Sequence, residues 1–305
     1  MKNPLLLLVF VLLLSPLRAQ LSNDRQLAKA LPTLMNWGQW GPDDQLGTLN
    51  YLTDSLVILA AQEIQTGHTI SLARTTSITD QHVMQGTYEA YKETHGLRDF
   101  VGAVWHGFEL THLDALNHVF ADSGRLYNGY DLVEGLSKLS IDKVAAHGIV
   151  GRAVLVDVAR YLPEGVHPGM PIYPHHLDQV LEKQNTMLRS GDVLMVRTGL
   201  GRSNSRTLRA GLHPSCLLWI KDNQVSMLGS DGDSDAYPVE GFQKYSNAFH
   251  TVGIPYLGLP LLDNAELEAL SEYCFSQRRY TFFITIAPWR INGASSSPIN
   301  PIAIF

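Results

Sequence analysis

Thr111-His112-Leu113-Asp114-Ala115-Leu116-Asn117-His118 is the stretch on which the reading of this chain turns. Residues i and i+2 of an extended segment point to one face, so His112 and Asp114 present an imidazole and a carboxylate side by side. His118 stands four residues beyond Asp114 and reaches the same pocket if the chain turns between them. Neutral imidazoles and carboxylates converging on one point are the donors of a hydrolytic metal ion, with one position left open for water. Taken alone, H-x-D is a weak pattern, because a lone His is more often a hydrogen-bonded structural residue.

Outward from this stretch, strand-like and helix-like segments alternate. Residues 150–158 (VGRAVLVDV) and 192–197 (DVLMVR) are Val-rich runs bounded by Gly, as strands buried on both faces require. Residues 69–72 and 280–287 (YTFFITIA) read as further strands. Residues 56–64 are apolar at helical spacing with Gly67 as a stop, residues 175–188 read as a helix, and a helix start is expected at residues 263–270. No internal repeat or low-complexity linker interrupts the pattern. The expected class is mixed α/β in one domain over residues 20–305.

Composition narrows the function classes. The chain has 305 residues, 45% hydrophobic and 17% charged, with a formal charge of −6. That is a globular composition with no basic stripe, so nucleic acid is excluded as an expected partner. Lys2 precedes an apolar run from Pro4 to Leu14, and Ser15-Pro16-Leu17-Arg18-Ala19 follows. The run is too short for a transmembrane span, which needs about 20 apolar residues. It has the form of a secretory signal peptide over residues 1–19, implying a secreted or periplasmic protein with no stable membrane anchor after cleavage. Cleavage after Ala19 removes two of the 23 basic residues and none of the 29 acids, leaving a formal charge of −8. Cys216 and Cys274 are the only cysteines; they can form one disulfide or remain two buried thiols. Two cysteines cannot make a thiolate zinc site, so any metal must use His and carboxylate ligands.

Residues 105–118 (WHGFELTHLDALNH) resemble the hallmark of the cyclase family, His-x-Gly-Thr-His-x-Asp-x-Pro-x-His, whose members include kynurenine formamidases and isatin hydrolases. Similar family landmarks stand in family order at residues 47–53 (GTLNYLT), 127–130 (YNGY), 191–199 (GDVLMVRTG), 228–231 (LGSD), His250 and 258–263 (GLPLLD). The resemblance implies a swivelling β/β/α architecture, a mixed sheet curled around the site with helices outside, and a homodimer or homotetramer. It implies one or two ions per subunit. Both Zn2+ and Mn2+ suit such ligands.

The resemblance places His112 and Asp114 as ligands of the primary metal. It places His118 as ligand of a second ion or as an acid–base residue, His250 as the distal His, and Asp263 where the family has a Glu ligand. Two departures stand out. Phe108 occupies the position of the family's first His, and a phenyl ring cannot ligate; Glu109, ranked first, and His106 are the nearby substitutes. In a straight strand His106 would lie about 20 Å from His112, so a bulge or loop is required. At Asp263 the alternative is helix capping, because Asp263-Asn264-Ala265-Glu266 also reads as a capping box.

The implied reaction is hydrolysis of an amide, formamide, or cyclic amide or lactone carbonyl in a small, aromatic or cyclic substrate, with His118 or His250 moving the proton. A lactonase or cyclic-imide hydrolase on the same site, and an exported metal-binding pseudoenzyme, are the alternatives. Trp105, Phe108 and Phe120 are near enough in sequence to line an apolar pocket, and core packing accounts for them equally well. Asp231, Asp233 and Asp235 lack calcium-loop spacing and read as turn or pocket-side residues. Arg197 reads as a structural ion pair, and Ser230 lacks a nucleophile-elbow context.

Overall fold

The computed structural model describes residues 21–77, 85–91 and 96–305, with only the backbone given for 85–91 and 96–99. The expected leader, residues 1–19, lies outside the described residues. In chain order the strands are β1 (Thr69–Ser71), β2 (Gln85–Tyr91), β3 (Gly96–Gly102), β4 (His112–Asp114), β5 (Ile149–Asp157), β6 (Pro171–Ile172) and β7 (Val193–Arg197). They continue with β8 (Gly211–Leu212), β9 (Met227–Ser230), β10 (Leu261–Asp263), β11 (Thr281–Ile286), β12 (Ser296–Pro298) and β13 (Ile302–Ile304). The helices are α1 (Asp24–Leu34), α2 (Asp54–Ala60), α3 (Leu132–Lys138), α4 (Ile141–His147), α5 (Val158–Tyr161), α6 (Pro174–Lys183), α7 (Cys216–Asp222) and α8 (Glu268–Gln277). A π-helix spans Phe249–Leu257.

Nine strands form one mixed sheet in the order β1-β13-β11-β5-β7-β9-β10-β4-β12. Its centre, β5-β7-β9-β10, is parallel, and the flanks are antiparallel. Successive residues of the central strands feed opposite faces. Val154, Val156, Leu194 and Leu228 join the core under α1, α6, α7 and the π-helix. Ala153, Leu155, Met195 and Met227 join the second core, under α4 and α8. Burial on both faces is why these strands read as unbroken apolar runs. The strands β2 and β3 form one two-stranded sheet, and β6 and β8 form another.

The expected strands at 69–72, 150–158, 192–197 and 280–287 form within a residue or two of their expected ends. Two helix expectations need correction. The helix expected over 175–188 stops at Lys183, because the Gln184 amide turns into the core. There it accepts from Asp157 N at 2.9 Å and donates to the Leu155 carbonyl. The helix start expected at 263–270 is strand through Asp263, and α8 begins only at Glu268 with no side-chain cap. Asn264 takes a left-handed φ of 58°, and the backbone N–H groups of Ala265 and Glu266 bond to Ser230 and Leu72 carbonyls. No capping box forms. Cys216 and Cys274 are both buried and unpaired.

Family landmarks distant in sequence meet here. Thr48 N donates to the Gly258 carbonyl at 2.8 Å, and Thr48 Oγ1 donates to Ser226 O at 2.7 Å. Gly258 closes the π-helix at φ +71°, and a Cβ there would lie 2.4 Å from the Tyr127 ring. Only glycine serves at such a position.

Candidate metal centre

Strand β4 carries the centre of the site. It lies between β10 and β12, with His112 opposite Asp263, Leu113 opposite Leu262 and Asp114 opposite Ser296. The period of two sends Leu113 and Leu262 into one core and leaves His112, Asp114 and Asp263 together on the other face. After β4 the chain turns, with His118 N donating to the Ala115 carbonyl at 3.0 Å, and His118 Nε2 comes to 3.6 Å from Asp114 Oδ2. The π-helix supplies His250, whose Nε2 lies 3.6 Å from Asp114 Oδ2 and 3.2 Å from Asp263 Oδ2. Such helices frequently occur at functional sites.

Glu109, ranked first as the substitute for Phe108, is exposed and belongs to neither ligand-like cluster, whereas His106 reaches the cluster. Residues 105–111 loop out of the strand path, with Gly107 at φ +151°, so His106 Nδ1 arrives 3.0 Å from Asp114 Oδ1. Its ring stacks on that of His118 at 3.9 Å, and its Nε2 lies within hydrogen-bond distance of Ser295 Oγ (3.2 Å) and Ser296 Oγ (3.1 Å). An Nε2–H donated to these hydroxyls leaves Nδ1 with its lone pair toward Asp114. Two buried side chains hold the loop. Asn264 Nδ2 donates to the Gly107 carbonyl at 2.6 Å and to the Leu110 carbonyl at 3.1 Å, and the Arg74 guanidinium donates to the Phe108 carbonyl.

Five of the six side chains form two overlapping groups, with His118 alongside. His106, His112 and Asp114 offer donor atoms within 4.8 Å of one another, and so do Asp114, His250 and Asp263. Asp114 is shared: Oδ1 faces His106 and His112, while Oδ2 faces His118 and His250. Both oxygens are fully buried, and neither has a hydrogen-bond donor in line; the same holds for Asp263 Oδ1 and His106 Nδ1. A buried carboxylate without donors is costly. A cation between these groups removes that cost, so the residues present fit a divalent metal.

Outer contacts orient the inner ones. His112 Nδ1 donates to the Leu110 carbonyl at 2.9 Å, leaving Nε2 bare toward the cluster. His250 Nδ1 donates to Asp235 Oδ2 at 2.7 Å, while Asp235 Oδ1 accepts from Phe249 N at 2.8 Å. Such carboxylate and carbonyl contacts fix the tautomer of ligand imidazoles. Burial works against charge on His250, but Asp114, Asp235 and Asp263 outweigh it and raise its pKa well above the ordinary value. Burial also works against ionised Asp114, and its interactions with His106 and His250, backed by His112 and His118, hold its carboxyl well below the usual range. Burial drives His118 down to about 4, against the pull of Asp114. Burial, then repulsion from Asp235 and Asp263, pushes Asp233 up to about 7.

The cluster opens into a cleft of about 420 Å³, lined also by Phe108, Arg206, Arg209, Asp233, Tyr237 and Asn247. Of the three candidate pocket aromatics only Phe108 lies there. Trp105 packs edge-on against Trp289 beside a separate cavity, and Phe120 is 46% exposed. The sequence reads Asp235 only as a turn or pocket-side residue and gives Arg209 no role, because nothing in SDGDSD or its surroundings encodes which side chain faces His250. Arg197 pairs with Asp157 at 2.7 Å and with Glu268 at 2.6 Å, the structural use expected of it. Ser230 Oγ accepts from Gly232 and Ser234 backbone N–H groups in a turn.

Fold and cluster together define an α/β protein with a His/Asp centre built on strand β4, between β10 and β12. The Cyclase family model matches residues 75–234, just over half of the chain, and the chain belongs to the Cyclase family. A crystal structure described as a novel cyclase is 28% identical, covering 89% of this chain and 99% of its own at a TM-score of 0.78. Isatin hydrolase A from Ralstonia solanacearum shares the fold at 19% identity, covering 80% of this chain and 93% of its own, with a TM-score of 0.54. Isatin hydrolase A from Labrenzia aggregata, bound to benzyl benzoate, shares it at 17% identity, 83% and 98% coverage, and a TM-score of 0.53. No curated protein matches.

Proposed function

We propose that this chain is a metal-dependent hydrolase that activates water for attack on an amide, formamide, or cyclic amide or lactone carbonyl. One observation carries the reading: both oxygens of Asp114 are buried without a hydrogen-bond donor, amid four imidazoles and Asp263. His106 through Nδ1, His112 through Nε2 and Asp114 would hold one ion. Asp114, His250 and Asp263 would hold the same ion or a second one, with His118 alongside. Bound Zn2+ or Mn2+ lowers the pKa of water from about 16 toward about 7 and polarises a carbonyl.

The chain's own residues supply the rest. His118, held neutral by burial, accepts a proton from water and passes it to the leaving group. His250 is fixed in one tautomer by Asp235, so its Nε2 is aimed at Asp114 and Asp263 rather than at solvent. The stacked His106 ring limits the freedom of His118. Phe108 on the cleft wall suits an aromatic or cyclic substrate. Support for hydrolysis also comes from the isatin hydrolases that share the fold. Among the described residues no helix is long and apolar enough to cross a membrane, and we read the N-terminal segment as a leader for export.

Metal analysis of the purified protein, with turnover of N-formyl aromatic amides, lactones and isatin-like rings, tests the reading. Stoichiometric zinc or manganese that is lost in His112→Ala, together with turnover of at least one class, is the expected result. Absence of metal, with His112→Ala indistinguishable from the native chain, sinks it.

A further inference from the structure

Beyond the metal cluster, the cleft is lined by two arginines that differ in their bonding. Arg209 is 4% exposed and its donors are spent: Nε lies 3.0 Å from Asp233 Oδ2, and Nη2 donates to Asn247 Oδ1 at 2.6 Å. Its Nη1 donates to the Arg206 carbonyl at 3.0 Å, and its guanidinium lies over the Tyr237 ring at 5.0 Å. Arg209 therefore anchors the backbone of the turn that bears Arg206. The Arg206 side chain is exposed at the cleft, and no hydrogen bond or ion pair ties its guanidinium to a described residue. Tyr237, Ser246 and Asn247 line the same cleft, and no hydrogen bond among the described residues engages Tyr237 Oη, Ser246 Oγ or Asn247 Nδ2.

These groups set one cation and three neutral donors beside the cluster. A molecule whose carbonyl lies at the cluster can extend along them within the same cleft. A carboxylate satisfies a guanidinium and neutral donors together, because an arginine fork matches its two oxygens. We propose that Arg206 selects substrates bearing a carboxylate away from the scissile carbonyl, with Tyr237, Ser246 and Asn247 completing its hydrogen bonds. This inference rests on the hydrolase reading above. Because Arg206 is exposed, the selection is worth about tenfold rather than the thousandfold of a buried pair.

The test uses 2-formamidobenzoate and 2-formamidobenzamide, matched in size and differing in charge, with the metal-loaded full chain, Arg206→Gln and Arg206→Lys. Calorimetric binding and the kinetic constants are read for both compounds. The native protein should favour the carboxylate about tenfold, mainly in Kd and KM. Arg206→Gln should bring the ratio near one, and Arg206→Lys should keep part of it. The native preference should also shrink as ionic strength rises. No native preference, or a preference untouched by Arg206→Gln, overturns the proposal; in the second case the carboxylate sits on the cluster instead. If neither compound is hydrolysed but binding keeps an Arg206-dependent preference, the anion site stands and the hydrolase reading falls. Equal hydrolysis of both does the reverse.

Discussion

Asp235→Asn is the most informative single change at this site. The substitution is isosteric, and its remaining carbonyl oxygen can still accept from Phe249 N, which now bonds to Asp235 at 2.8 Å. The amide then turns its NH2 toward His250 Nδ1, where a carboxylate now accepts at 2.7 Å. Two donors cannot face each other, so His250 shifts its proton to Nε2 or rotates away. Either movement removes a lone pair from the group formed with Asp114 and Asp263. Loss of such an outer contact costs about 10–100-fold in metal affinity, or about 1.4–2.7 kcal/mol. Competition against a fluorescent chelator, with zinc and with manganese, measures it. Circular dichroism should show the native fold, since the backbone bond is kept. A folded Asp235→Asn protein binding metal as tightly as the native chain would refute the argument that Asp235 sets His250.

Other outcomes follow from the same geometry. His106→Ala should lower metal occupancy sharply, whereas Glu109→Ala should leave it unchanged; retention in the first or loss in the second reverses the assignment of the substitute ligand. Metal affinity should weaken as pH falls. His250 has a raised pKa and must lose its proton to bind, so log K should climb with pH at a slope near one, from about pH 6.5 up to that raised value and level off above it. His118 titrates near 4 and adds nothing in that window. In metal-free protein the same raised pKa stabilises the fold below pH 6.5, and that contribution disappears as pH rises through the folded value. A pH-independent affinity between 6 and 9 would exclude the titration of His250. Asn264→Ala deprives the Gly107 carbonyl of its donor and leaves the Leu110 carbonyl with His112 Nδ1 alone, and should cost about 1–3 kcal/mol in chemical denaturation. It should also weaken metal binding by freeing the His106 loop.

Much of the architecture is local information. The central strands are Val-rich and apolar on both faces because helices cover both sides of the sheet, and that pattern is visible in any window of the chain. The two helix errors share a cause. Gln184 and the Asp263–Glu266 segment carry good helical or capping residues, but their polar groups are taken by partners such as Asp157 N, the Gly107 carbonyl and the Leu72 carbonyl, each remote in sequence. A tertiary hydrogen bond outweighs a propensity of a few tenths of a kcal/mol.

The stretch from Thr111 to His118 determined by itself that an imidazole and a carboxylate would share one face, since a period of two needs nothing beyond an extended chain. Sequence alone also carried the likeness that pointed to His250 and Asp263. Only the tertiary structure brought His106, and not Glu109, beside Asp114 and His112. The choice depends on a loop whose carbonyls are gripped by Asn264 and Arg74 from distant parts of the chain. It alone placed Asp235 behind His250 and Arg206 over the cleft, because spacing along a chain fixes which residues share a strand face but not which loops meet across a sheet.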